Sequence, residues 1–132
     1  MGTNRTHRLG KYFVLPEFSD HDVGQLPPRE SVHALGHLCK SYLDPLRIEF
    51  GTVLITSGYR TDATNRNVGG AAQSRHMYHR FPGSPACDLV ARRGTPAGWY
   101  EFLDALNVGG LGLYRGHVHV DLRKYRARWT DL

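Results

Sequence analysis

Residues 116–123 read GHVHVDLR, and no other stretch limits the fold as tightly. Apolar and polar side chains alternate with a period of two, the period of a β-strand that turns one face to a core. Val118, Val120 and Leu122 share the apolar face, and His117, His119 and Asp121 share the other. The chain is therefore expected to contain a sheet with one face packed and one face carrying imidazole and carboxylate groups. That row is a donor set suited to metal binding or proton transfer.

Other strands and helices gather around this one. Arg115-Gly116 is expected to turn a hairpin whose first arm is Leu111–Tyr114. The segments TVLIT (52–56) and ACDLVA (86–91) read as two further strands, the first rich in β-branched residues. Tyr12–Phe18 is a short apolar lead-in, followed by a polar loop at Ser19–Gln25. Pro27 and Pro28 suit a first helical turn, and Val32, Leu35, Leu38, Cys39, Tyr42, Leu43 and Leu46 recur at helical spacing until Gly51. Pro45 lies inside that pattern and is expected to kink the helix or end it early. Thr61 is placed to cap a short helix over 62–67. Thr95-Pro96 opens another, with Trp99, Phe102, Leu103 and Leu106 as its buried stripe and NVGG as its stop. The expected class is α+β, with a small, mainly antiparallel sheet flanked by helices.

Length and composition narrow the function classes. A chain of 132 residues, 40% hydrophobic and 22% charged, can build one core, and a single domain over 1–132 is expected. No apolar run approaches the roughly 20 residues a membrane span needs. Met1–Gly10 is polar and lacks the apolar stretch of a secretory signal, so synthesis in a cytoplasm is expected, with release or carriage by something else if the protein acts outside. The net charge of +5, mostly arginine, suits acidic partners such as a phosphate-rich cell wall. No nucleic-acid motif accompanies it. The run Arg123, Lys124, Arg126, Arg128 reads as a solvated face. Cys39 and Cys87 lack C-x-x-C spacing and are expected to be buried free thiols.

Asp88 stands out chemically. In ACDLV, Cys87 and Leu89 share one face and Asp88 points to the other, where a carboxylate needs a partner or a metal. Asp88, His76 and the His117/His119 pair together offer two imidazoles and a carboxylate for Zn²⁺, although spacing alone leaves a structural role open. His33 and His37 stand one turn apart, off the Leu35/Leu38 stripe, and read as a solvated face. Ser19–Asp22 (SDHD) reads as a turn with caps rather than a ligand cluster. Tyr59, Tyr78 and Tyr114 flank the proposed site, either as packing residues or as walls of a cleft. Gly69, Gly70, Gly109 and Gly110 supply turns, since no phosphate-loop pattern is present.

Three stretches, ITSGYRTDATNRNVGGAAQSRH, PACDLV and GGLGLYRGHVHVDLR, follow one another in an order that resembles the zinc D-alanyl-D-alanine carboxypeptidase family. That family includes the L-alanyl-D-glutamate endopeptidases of phage endolysins and shares its fold with lysostaphin-type enzymes and the hedgehog signalling domain. YFVLPEFSDHD and DPLRIEFG are also similar to segments of its members. Its pattern of S-x-H, then A-x-D, then a later strand histidine falls on Ser74, His76, Ala86, Asp88 and His119. The resemblance implies a hedgehog/DD-peptidase-like fold, with His76, Asp88 and His119 holding Zn²⁺. It also implies that Arg60 contacts the substrate carbonyl or developing oxyanion and that Ser74 helps hold the substrate peptide. Zinc in such a site supplies Lewis acidity and makes hydroxide accessible near neutral pH.

This chain departs from the pattern in two places. His76 and Asp88 stand further apart than is common in the family, with YHRFPGSP (78–85) reading as an inserted surface loop. Within it, His79 is a competing ligand. The glutamate that many members carry three residues before the last histidine is Gly116 here. His117 is then expected to shuttle the proton, as in the His-x-His of lysostaphin-like relatives, with Asp121 orienting a histidine or binding substrate and Tyr59 beside the substrate.

The expected function is zinc-dependent hydrolysis of an amide bond in the peptidoglycan stem peptide, either D-Ala-D-Ala or L-Ala-D-Glu. Such an enzyme would be a cell-wall lytic protein of a bacterium or phage, acting after holin release or within a virion. The alternative is a non-catalytic zinc-binding module of a phage particle or wall-binding assembly, motivated by the missing glutamate.

Overall fold

After a 3-10 turn at Leu15–Phe18, the longer helical run follows Pro28, whose ring fixes the approach to a second 3-10 turn at Arg29–Ser31 and then to α1 (Val32–Leu38). The computed structural model describes residues 7–132, so residues 1–6 of the polar N-terminal stretch lie outside the described residues. Pro45 neither ends the helix nor stands at its close. A π turn over Cys39–Leu43 carries α1 into α2 (Asp44–Phe50), and Pro45 falls in the first turn of α2. Proline has no N–H to give to the ladder, and the widened turn just before it absorbs the missing bond. Leu35, Leu38, Cys39, Leu43 and Leu46 are all fully buried along this run, as their spacing predicts. Gly51, at φ 83°, ends it.

Strand β1 (Val53–Ser57) follows, then α3 (Asp62–Asn67), whose Thr61 cap accepts a hydrogen bond from Thr64 N at 3.2 Å. Strand β2 (Ala86–Ala91) leads to α4 (Pro96–Ala105), capped by Thr95 through Gly98 N at 3.2 Å. The hairpin of β3 (Gly110–Tyr114) and β4 (Val118–Asp121) forms as its alternation requires. A last strand, β5 (Ala127–Asp131), pairs parallel to β3. The five-stranded sheet has the order β1-β2-β4-β3-β5, antiparallel except at its final pair. The expected α+β class with a mainly antiparallel sheet is what the chain adopts.

Leu89, Leu111, Val118 and Val120 turn from the sheet toward Leu35, Trp99 and Leu103 of the helices, in one core. Cys39 and Cys87 are buried and unbonded to each other. Burial pushes the Cys39 thiol above its ordinary range. Among the described residues no helix is long and apolar enough to cross a membrane.

The inserted segment 78–85 is a loop, as expected, with His79, Arg80 and Gly83 exposed, but it is tied down at its start. Its Tyr78 is fully buried and donates its hydroxyl to the Ala86 carbonyl at 2.7 Å, so the insertion is anchored in the core. SDHD is a turn, as expected: Asp20 accepts from Asp22 N at 3.0 Å and also from Thr61 N at 2.9 Å.

The basic run after residue 122 is only in part the expected solvated face: Lys124 and Arg126 are exposed, and Arg123 and Arg128 are not. Arg128 donates to the carbonyls of Val108 and Gly109 at 2.8 and 2.7 Å and to Asp104 Oδ1 at 2.7 Å, bracing β5 against the end of α4. Its side chain is 14% exposed, against 56% for Arg126, which meets the same carboxylate. Arg128→Ala removes the donor to the Val108 carbonyl, while Gly109 keeps its bond from Ala127 N at 3.0 Å, and is expected to destabilise the fold by about 1–3 kcal/mol. Arg126→Ala should barely move the urea midpoint. Equilibrium urea unfolding of both variants checks the contrast.

Candidate active site

Sheet register builds the site. Asp88 of β2 pairs with His119 of β4, which pairs with Gly112 of β3, which pairs with Trp129 of β5. These residues form one row across the face away from the core. Gly112 is needed in that row because a Cβ there would collide with the Trp129 indole. The indole instead lies across the glycine, with its ring centre 5.1 Å from that of His119. In the neighbouring row Gly110 faces Asp121, and a Cβ on Gly110 would strike the carboxylate.

His76 reaches the row from a turn after α3. Its backbone N–H bonds Ser74 Oγ at 3.2 Å, and its carbonyl accepts from Arg60 N at 2.8 Å. The imidazole Nδ1 lies 2.7 Å from the Gly58 carbonyl. A carbonyl only accepts, so Nδ1 carries the proton and Nε2 presents a lone pair. Nε2 of His76 lies 3.3 Å from Asp88 Oδ1.

His119 is oriented the opposite way. Its Nε2 donates to Asp121 Oδ2 at 2.7 Å, leaving Nδ1 directed at the same Asp88 Oδ1, 3.2 Å away. Asp121 is fully buried, and each oxygen accepts two hydrogen bonds. Oδ1 takes the Arg123 N and Nε at 3.0 and 2.8 Å, and Oδ2 takes Arg123 Nη2 at 2.7 Å besides His119. A carboxylate accepting from an arginine fork and an imidazole is a well-satisfied buried anion.

Two imidazole nitrogens and a carboxylate oxygen thus converge within 4.8 Å of one another, their hydrogens turned outward. Three acceptors facing one point repel each other unless a cation or proton sits among them, so the donor set fits a metal such as Zn²⁺. Without a metal, a proton shared with Asp88 takes that place, and the pKa shifts follow from it. Burial works to raise the Asp88 pKa, yet hydrogen bonds with His119 and His76 hold it far below its ordinary value. Burial opposes the charged form of His119, but its bonds to Asp121 and Asp88 raise its pKa overall. Burial also depresses the His76 pKa, and Asp88 only partly offsets this. For Asp121, burial raises the pKa and the bonds from Arg123 and His119 outweigh it, keeping the group ionised.

The centre opens to a cleft of about 850 Å³ whose wall includes Arg60, Ser74, Arg75, His117 and Trp129. Arg60 Nη2 lies 3.6 Å from Asp88 Oδ2, with its Nε donating to Ser57 Oγ at 3.2 Å. His117, 32% exposed, puts Nε2 at 4.0 Å from Asp88 Oδ2. Its ring stacks on Tyr114 at 4.4 Å and 9°, and the Tyr114 hydroxyl accepts from Trp129 Nε1 at 3.0 Å.

The structure therefore brings together His76, Asp88, His119, His117, Arg60 and Ser74. Of the two roles expected for Asp121, the contacts match the orienting of a histidine, and Tyr59 stands away from the cleft. Asp121 has no exposed surface and supports His119 from below, because an ionised carboxylate there finds all its donors inside the protein. Tyr59 is 5% exposed, packs on Tyr78 and does not line this cleft. Tyr78 is a core residue too, whereas Tyr114 does face the cleft. His79 bonds Asp62 at 2.9 Å and stands outside the centre, and His33 and His37 are exposed. The sequence reasoning missed Arg123, Trp129 and Asp131. All three line the cleft from the C-terminal stretch, where the alternation Ala127, Trp129, Asp131 was the one available signal.

Asp121→Asn should weaken zinc binding about 10–100-fold through misorientation of His119, measured by chelator competition. Because its partners raise the His119 pKa, proton and metal compete for that ring. Metal affinity should therefore rise with pH as the proton leaves, and zinc titrations at several pH values read this directly.

Comparison with curated proteins finds no match. A family model described as Peptidase M15 matches residues 24–121, from the polar loop before the first helix to the Asp121 beneath His119. Peptidases of that family are zinc-dependent in general, and the matched span contains the three convergent donors. The chain belongs to the peptidase M15 family.

Proposed function

We propose that this protein is a zinc peptidase that hydrolyses an amide bond in the peptide stem of bacterial peptidoglycan, at D-Ala-D-Ala or L-Ala-D-Glu. The observation that carries the proposal is the convergence of His76 Nε2, His119 Nδ1 and Asp88 Oδ1 at the floor of an open cleft. These three atoms would hold the metal, which when bound supplies Lewis acidity toward a carbonyl and a water made nucleophilic near neutral pH.

The chain's own groups do the rest. Arg60, fixed by Ser57 and by Asn65 Oδ1 at 3.4 Å, offers permanent charge to the carbonyl oxygen as it becomes negative. His117 takes the proton from the attacking water at Nε2 and returns it to the leaving amine, which balances the hydrolysis. The Tyr114 ring against which it stacks holds its plane. Ser74 has a hydroxyl proton free to bond the substrate backbone while its oxygen accepts from His76 N. The setting we propose is a bacterial or phage lytic role, the protein reaching the wall after holin release or as a virion part. The net charge of +5 suits an anionic wall.

The wild type is expected to bind one zinc and His119→Ala none, by mass spectrometry of the metal. Zinc-loaded protein should release new amines from purified walls. His117→Ala should keep its zinc and lose about 10²-fold or more of that rate. Zinc bound without hydrolysis of any wall chemotype at neutral pH would replace the peptidase reading with that of a non-catalytic module.

A further inference from the structure

The cations of the cleft wall differ in how they are neutralised. Arg60 faces Asp88, and Arg123 grips Asp121 through Nε and Nη2. Arg75 has no carboxylate partner among the described residues. Its side chain makes one hydrogen bond, from Nη1 to the Gln73 carbonyl at 3.5 Å, the outer limit for such a bond. Its Nε is buried without any partner.

The group is nonetheless held in place. Its guanidinium carbon lies 4.4 Å from the centre of the Phe81 ring, a cation–π seat. Phe81 belongs to the inserted segment 78–85, which Tyr78 pins to the core and which closes on itself through Phe81 N to Met77 O at 3.0 Å and Ser84 N to Phe81 O at 3.1 Å. On the other side, the Arg75 carbonyl accepts from Ala86 N at 3.3 Å. Arg75 is thus fixed at both its main chain and its head, directly before His76, on the wall of the same cleft.

An arginine held this way, with donors left over and no counter-charge, is built to receive a planar anion. The guanidinium fork matches a carboxylate bidentately, and an incoming carboxylate supplies the charge that the protein withholds. We infer that Arg75, seated on Phe81, is a carboxylate subsite of the cleft that receives a free carboxylate of the peptide being cut. This rests on the peptidase proposal and deepens it: the preferred substrates are stem peptides bearing a free carboxylate near the scissile amide, rather than amidated ones. That carboxylate is either the C-terminal group or the α-carboxylate of a γ-linked D-glutamate, and the insertion is the element that makes the subsite.

The test uses the zinc-loaded full chain and three synthetic stem pentapeptides, L-Ala-γ-D-Glu-L-Lys-D-Ala-D-Ala. One has both carboxylates free, one has a C-terminal amide, and one has the glutamate α-carboxylate amidated. One of the two amidations is expected to lower kcat/KM at least tenfold in the wild type, which names the carboxylate recognised. In Arg75→Ala the ratio of free acid to that amide should collapse toward one. Arg75→Lys should keep part of it, and Phe81→Ala should raise KM for the free acid. Zinc content and thermal midpoint of each variant confirm that the fold persists.

Equal cleavage of all three peptides by the wild type overturns the inference, as does an equal slowing of all three in Arg75→Ala. If the wild type cuts neither peptides nor walls, the peptidase proposal fails, and calorimetry with the same peptides decides the subsite separately. An Arg75-dependent preference for a free carboxylate then supports it, and equal binding of acid and amides overturns it.

Discussion

The hydrogen bond from His119 to Asp121 organises more of this molecule than any other contact. Asp121 is an ionised group in the interior, and such a group is tolerated only when its lone pairs are filled. Its four donors come from His119 and Arg123, so the carboxylate ties the strand to the chain that leaves it. Gly110 must lack a side chain for the carboxylate to fit, and the register of β3 against β4 is fixed accordingly. A slip of one residue would drive Asp121 and His119 into the leucine and valine core. The alternation of one short strand therefore sets sheet register, histidine orientation and the position of the neighbouring β2 carboxylate together.

Much of this was legible in the chain itself. The period of two in GHVHVDLR, the helical spacing from Val32 to Leu46 and the Thr61 and Thr95 caps are local signals, and local geometry realised each of them. The donors His76, Asp88 and His119 were legible through the S-x-H and A-x-D pattern. What escaped depends on contacts between distant segments. β5 pairs in parallel with β3, and the arginines of RARWTDL hid its alternation behind a charge run. The Gly58 carbonyl that sets the His76 tautomer is backbone and leaves no mark in side-chain pattern. Asp121 was open to two roles because spacing reports which face a residue occupies, not what folds back onto it, here Arg123. Tyr59 and Tyr78 were ambiguous for the same reason.

The cleft places its charges unevenly. Asp88 is enclosed by His76, His119, Arg60 and His117, so its negative charge is directed at the centre. Asp131 lies further along β5, at the level of Tyr114. Arg60, Arg75 and Arg123 are among the residues that line the cleft. Fixed charges of one sign around a concave surface concentrate ligands of the other sign, most strongly at low ionic strength. The proposed substrate, a wall polymer with peptides bearing carboxylates, is anionic, so the same field would serve both its encounter and its binding.

Gly116 fits this arrangement. A Cβ at that turn would meet open space, so crowding at the backbone does not account for the glycine. A carboxylate there would add an anion near a cleft whose proposed substrate is itself anionic. An imidazole two residues before the ligand His119 can carry a proton without adding negative charge in its resting state. His117 is also better supported than a side chain at the turn would be. It packs flat on Tyr114, and Tyr114 is held by the Trp129 indole, which lies over Gly112 beside His119. The proposed proton carrier and the proposed ligand are thus braced through the same tryptophan, contributed by the strand that the basic C-terminal run concealed.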